Sequence, residues 1–277
     1  MKINYHSHTT YSDGSNKADE LLIKAIENGY TSFGISDHSP VPFQSEWNMK
    51  YERLYNYIKE MNKLKRKFSD KLDFYIGMEI DFIENIQHIS NFKHLGLDYT
   101  IGGVHYLPDE LEGRPFNIDK SMEVFTDGLN RVFGCNIEQM VEEYYNNVIK
   151  MLEKDRPDIV AHINLIEKFN HSDRFFNPDK PWYKSLIKNV LESVSRSGVI
   201  LELNCRSKYK RLIEDFAPSL WIVRMARNYG IPFTISGDVH KIEELSIFWE
   251  DAVKGLKDAG YTEIMILKKN RWEKIKI

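Results

Sequence analysis

The sequence predicts an α/β protein, a distorted (β/α)7 barrel of the TIM-barrel type with a metal site at the C-terminal ends of its strands. Three observations predict it. Short β-type runs alternate with helical patterns through most of the chain, which implies a parallel sheet with crossover helices. Six of the first seven runs end in a residue able to ligate a metal. In a closed barrel all C-terminal strand ends meet at one face, whereas an open sheet strings them along a line, so ligands spread from His6 to His240 favour closure.

Each element follows from local pattern. The run KINY (2–5) leads into His6 and His8, and TSFGIS (31–36) into Asp37 and His38. LDFYIGM (72–78) leads into Glu79, DYTIGGV (98–104) into His105 and DIVA (158–161) into His162. VILELN (199–204) ends without an obvious ligand, and PFTISG (232–237) leads into Asp238 and His240. An eighth run, TEIMIL (262–267), precedes a charged tail with no assigned role. Between the first two runs, Leu21, Leu22, Ala25 and Ile26 recur at helical spacing, and Gly29 stands where a left-handed C-terminal residue belongs. Residues 137–155 keep the same period and stop before Pro157, and 182–197, 218–229 and 243–259 supply further helices. No repeat or linker-like shift in composition divides the chain, so residues 1–277 read as one domain.

Composition narrows the function. The 277 residues are 42% apolar and 29% charged, ordinary for a soluble globular protein. A net charge of -3 provides no basic field to concentrate nucleic acid or an anionic membrane, so neither is an expected partner. Cys135 and Cys205 form no CxxC pair, which fits a reducing compartment, by default the cytoplasm, and gives no sign of a thiolate site. MKINY at the start has no apolar leader core, and no apolar run approaches the roughly 20 residues of a membrane span.

The chemistry lies in the strand-end residues. In an extended segment i and i+2 point to one side, so His6 and His8 offer two imidazoles to one point. A lone histidine near a strand end is usually packing; the joint placement of His6, His8, His38, His105, His162 and His240 with Asp37, Glu79 and Asp238 is what points to metal. His88, His94 and His171 occupy no strand end and read as surface or structural. Imidazole mixed with carboxylate suits Zn, Mn or Fe. So many ligands exceed the needs of one ion and imply two or three, with Glu79 and Asp238 as the natural bridging carboxylates. Ions about 3.5–4 Å apart activate water and stabilise both oxygens of an in-line displacement at phosphorus.

The motifs HSH, SDH (36–38), GGVHYL (102–107), AHINLI (161–166) and SGDVH (236–240), with the lone glutamate between them, resemble those of the polymerase and histidinol phosphatase (PHP) superfamily. GMEIDFIE (77–84) and the elaborated segment 116–152 resemble its histidinol-phosphatase branch. The resemblance implies a distorted (β/α)7 barrel with a trinuclear site: His6, His8, Glu79 and Asp238 around one ion, Glu79, His105 and His162 around a second, Asp13, His38 and His240 around a third, with Asp37 behind them. It also implies two cations for the phosphate, here Lys168 and Arg206. The chain departs from the branch at Asn164, where relatives often carry Asp, and at Cys205, where they often carry Thr. Lys208, Lys210 and Arg211 read as a solvated loop. The segments 40–47 and 107–135 are long enough to wall the mouth, and Phe43, Trp47 or Tyr106 could stack on an imidazole or pack on one another. The resemblance implies hydrolysis of a small phosphomonoester, foremost L-histidinol phosphate. A nuclease-like phosphodiesterase and a non-catalytic metal-dependent regulator are the alternatives, and the oligomeric state is not legible.

Overall fold

The computed structural model describes residues 1–213 and 215–277. Its strands are β1 (Lys2–Asn4), β2 (Tyr30–Ile35), β3 (Asp73–Ile76), β4 (Glu79–Asp81), β5 (Ile101–Gly103), β6 (Tyr106–Leu107), β7 (Phe116–Asn117), β8 (Ile159–Val160), β9 (Ile200–Asn204), β10 (Phe233–Ser236), β11 (Glu263–Lys268) and β12 (Arg271–Lys276). The helices are α1 (Ala18–Glu27), α2 (Leu54–Lys67), α3 (Met122–Phe133), α4 (Ile137–Lys154), α5 (Pro181–Ser197), α6 (Arg206–Tyr209), α7 (Leu220–Asn228) and α8 (Trp249–Asp258).

Two parallel sheets form the centre, one in the order β1-β2-β3 and one in the order β10-β9-β8-β5-β4. Parallel bridges join them at Ser7–Val239, just beyond β1 and β10, and at His38–Glu79, between the segment after β2 and the first residue of β4. The strands are short and almost wholly buried, as expected of parallel strands covered by helices. Around them each helix buries one stripe. α4 buries Met140, Val141, Tyr144, Tyr145, Val148, Met151 and Leu152, a set spaced by threes and fours, and begins where the Gln139 N–H donates to Asn136 Oδ1. α1 buries Leu21, Leu22 and Ala25, and Gly29 follows it at φ +75°, a backbone that suits only glycine.

The structure departs from the sequence reading in several places. The 72–78 run is strand only over β3, and a second strand not anticipated, β4, begins at Glu79 itself, with β3 paired to β2 and β4 to β5. The 107–135 segment is partly regular, holding the β6–β7 hairpin and α3. The charged tail is β12, paired antiparallel to β11 and packed by Trp272 edge-on against Tyr5. α2 was not anticipated, and the 243–259 helix begins only at Trp249, after a short 3-10 turn at Ile242–Glu244. Among the described residues no helix is long and apolar enough to cross a membrane.

Candidate metal centre

The loop after β1 carries His6, His8 and Asp13, and Asp37 shapes it. Asp37 accepts from the Thr9 N–H (2.8 Å), the Thr9 hydroxyl (2.7 Å) and the Ser12 hydroxyl (2.5 Å). The loop turns so tightly at Gly14 that a Cβ there would lie 2.2 Å from the His8 carbonyl oxygen. Asp37 therefore serves the loop that presents the ligands.

Glu79 stands at the middle of the cluster. Its Oε2 lies 3.0 Å from His6 Nε2, 3.1 Å from His38 Nδ1 and 3.4 Å from His8 Nε2. Its Oε1 lies 3.1 Å from His162 Nε2 and 3.6 Å from His105 Nε2. Asp238 Oδ1 is 3.3 Å from His240 Nδ1, 3.5 Å from His8 Nε2 and 3.9 Å from His6 Nε2, while Asp13 Oδ2 is 3.0 Å from His240 Nε2. Three groups could each hold an ion: His6, His8 and Asp238; Glu79, His105 and His162; and His8, Asp13, His38 and His240. His8 thus faces two groups, where the sequence placed it in one. Asp238 adopts φ +49°, an unusual backbone for a residue with a side chain and most tolerable for Asp or Asn.

The donor set fits metal. Buried polar atoms are normally hydrogen-bonded, yet His6 Nε2, both His8 nitrogens, His38 Nδ1 and Glu79 Oε2 are buried with no hydrogen-bond partner. They converge without bonding to one another, as atoms aimed at common cations do. Burial, with His240 and His38 alongside, pushes His8 down to about 3, which keeps its imidazole neutral as ligation requires. Burial opposes ionisation of Glu79, but His38 and His6 outweigh it and hold the carboxyl well below its usual range. Burial likewise opposes charge on His105, yet Asp81 raises it to about 9, and Glu202 and Glu79 raise His6 well above its ordinary value. The carboxylates draw positive charge to this point.

Two supporting carboxylates escaped the sequence reading. Asp81 Oδ1 lies 2.6 Å from His105 Nδ1, and Asp81 Oδ2 accepts from the Asn48 amide at 2.7 Å. Glu202 Oε2 lies 2.9 Å from His6 Nδ1, and Glu202 Oε1 accepts from the His162 N–H at 2.8 Å. Each carboxylate thereby fixes which nitrogen of an imidazole faces the centre. Asp81 stands two residues after Glu79 and Glu202 inside the apolar run ILELN; an acid in a fully buried strand was the signal available.

The cavity over the cluster measures about 550 Å³ and is also lined by Trp47, Asp119, Lys168, Arg206 and Lys210. Lys168 Nζ is paired with the Asp119 carboxylate and donates to the Asp119 carbonyl at 2.8 Å. The aromatic residues pack on one another, Trp47 stacked on Tyr106 at 5.7 Å and Phe43 edge-on to it at 5.2 Å. His88 binds Asp155 outside the cluster, and His94 and His171 are exposed.

Fold and site together define an α/β protein with a polynuclear imidazole–carboxylate centre at the ends of parallel strands. The chain belongs to the PHP domain family, whose model matches residues 4–206. It is 31% identical over 246 residues to the Deinococcus radiodurans protein named "Probable histidinol-phosphatase", covering 87% of this chain and 86% of that one. It is 23% identical over 263 residues to the Bacillus subtilis histidinol-phosphatase, covering 88% and 96%. The crystal structure of histidinol phosphate phosphatase from Lactococcus lactis, complexed with Zn, L-histidinol and phosphate, superposes with a TM-score of 0.74 at 17% identity over 98% of both chains, which shows a shared fold.

Proposed function

We propose that this chain is a metal-dependent phosphomonoesterase that hydrolyses L-histidinol phosphate to L-histidinol and phosphate. The observation that carries the reading is Glu79, one buried carboxylate with nitrogens of five histidines within 3.6 Å of its oxygens, at the base of a cavity that Arg206 also lines. The names of the relatives supply the substrate.

The resemblance assigns three sites: His6, His8, Glu79 and Asp238; Glu79, His105 and His162; and Asp13, His38 and His240; the clusters in the structure support this division, with His8 near the third set as well as the first. Zinc, manganese or iron bound there supplies Lewis acidity at phosphorus and a lowered pKa for water. Glu79 and Asp238 are the catalytic carboxylates, each with an oxygen facing more than one imidazole. Asp81 and Glu202 keep His105 and His6 turned toward the centre. Arg206 offers its planar fork to the phosphate oxygens, and its charge offsets what grows on them as the ester bond breaks. Lys168 reaches the phosphate by exchanging its Asp119 contact, which makes it the weaker of the two cations.

The two sheets, bridged at Ser7–Val239 and His38–Glu79, read as one distorted seven-stranded barrel, with the successive β3 and β4 taken as a single strand position, in a single domain over residues 1–277, with the ligands at its C-terminal strand ends. The net charge of -3 and the unpaired Cys135 and Cys205 support a small-molecule substrate over nucleic acid and a cytoplasmic setting. Assay of the purified protein on L-histidinol phosphate and on a nucleotide diester at matched metal content tests the reading. The monoester should turn over faster; equal or faster cleavage of the diester would overturn it.

A further inference from the structure

We propose that Lys210 is a further anion-binding residue at the mouth of the cavity, and that the buried carboxylate of Glu244 is a positioning residue that aims Lys210 and Arg206 together at the phosphate. The identity of the anion rests on the phosphatase reading above; the anion site itself does not.

Arg206 opens α6 and Lys210 follows its last residue, so the two cations stand four apart on one face of a single helical turn. Glu244 comes from the 3-10 turn after β10. Its Oε1 lies 2.5 Å from Lys210 Nζ and its Oε2 lies 3.4 Å from Arg206 Nη1. The same Oε2 accepts from the Tyr209 hydroxyl at 3.0 Å and from the N–H groups of His240 at 2.8 Å and Lys241 at 3.2 Å. One carboxylate thus ties the loop that carries His240 to the helix that carries both cations.

Charge decides what this arrangement favours. Two cations share one buried acid, so two positively charged side chains stand side by side on the wall of a cavity that the Asp238 and His240 side chains also line. Arg206 Nη1 also donates to the Asp238 carbonyl at 3.2 Å, which fixes the guanidinium relative to the metal cluster. A long cationic side chain held against a buried acid has already lost its rotamer freedom, so little ordering remains to oppose phosphate binding. Lys168, by contrast, has Asp119 to itself.

The test uses metal-replete full-length protein, titrated calorimetrically with inorganic phosphate and assayed on the monoester. Lys210→Met, at a position on the exposed rim, should raise both the phosphate Kd and KM about tenfold, the loss of one charge-assisted contact, with a smaller change in kcat. Glu244→Gln should shift both in the same direction with metal content unchanged, and Glu244→Asp should recover part of the loss. Unaltered phosphate affinity in Lys210→Met would overturn the anion site. Loss of phosphate binding in Glu244→Gln that merely tracks loss of metal would overturn the positioning role. Phosphate binding that depends on Lys210 in a protein inactive on histidinol phosphate would sink the functional reading and leave this one standing.

Discussion

Asp81 reaches the centre only through His105, holding Nδ1 so that Nε2 faces Glu79. Asp81→Asn keeps the shape but no longer holds the ring by charge, and metal affinity should fall roughly 10- to 100-fold, measured by competition with a chelator. Glu167, in the loop after β8, offers a pH signature away from the ligands. It accepts from the Tyr183 hydroxyl and from the Asn164 amide, and burial pushes it from 4.5 up to about 7. A carboxyl whose folded pKa exceeds its unfolded one contributes stability below pH 4.5 that is lost as pH rises through about 7. The shift corresponds to up to about 3 kcal/mol. Glu167→Gln should therefore match the natural protein in melting temperature near pH 4.5 and exceed it above pH 7; a gap that does not widen with pH would refute the assignment. At this scale the clustering of the strand-end histidines and acids was legible because their position repeats from strand to strand. Asp81, Glu202, Lys210 and Glu244 were not, since their roles depend on which loops and strands meet in space.

Elements were legible where periodicity was strong. α1, α4 and α5 follow their apolar spacing, and α5 opens on Pro181, a residue suited to a first helical turn. α2 escaped because its buried stripe is only Tyr57, Met61 and Leu64 within a highly charged sequence. Yet that stripe anchors two strands: the Tyr57 hydroxyl donates to the Gly77 carbonyl at 2.7 Å and lies 3.3 Å from the Ile35 carbonyl. Tyr57→Phe leaves the Gly77 carbonyl without this donor, while the Ile35 carbonyl keeps the Gly77 N–H at 2.8 Å, and should cost about 1–3 kcal/mol by denaturant unfolding. The same contact sits where β3 gives way to β4, a break hidden in the sequence because the residues from Phe74 to Met78 carry no charge and run directly into Glu79. The β6–β7 hairpin was hidden for the opposite reason, its strands being two residues each.

For the whole molecule, the alternation of strand and helix foretold parallel sheets, and the sheets bring histidines and acids able to hold metal together at one cavity. The pairing falls into sheets of three and five strands joined by single bridges, a detail that depends on local twist and register and that no periodicity encodes. Convergence brings together residues as distant in sequence as His6 and Asp238, so metal should also hold the fold together. By mass action, ions bound only by the folded chain stabilise it, about 4 kcal/mol at a thousandfold excess over Kd, and a chelator should lower the melting temperature accordingly.

The most direct measurement is phosphate release from L-histidinol phosphate by protein stripped of metal, then reloaded, alongside Glu79→Gln with its metal content determined. The account predicts release that vanishes on stripping, returns with two or three divalent ions per chain and stays near baseline in the variant. Release that persists in the stripped protein, or that Glu79→Gln sustains at the natural rate, would contradict it.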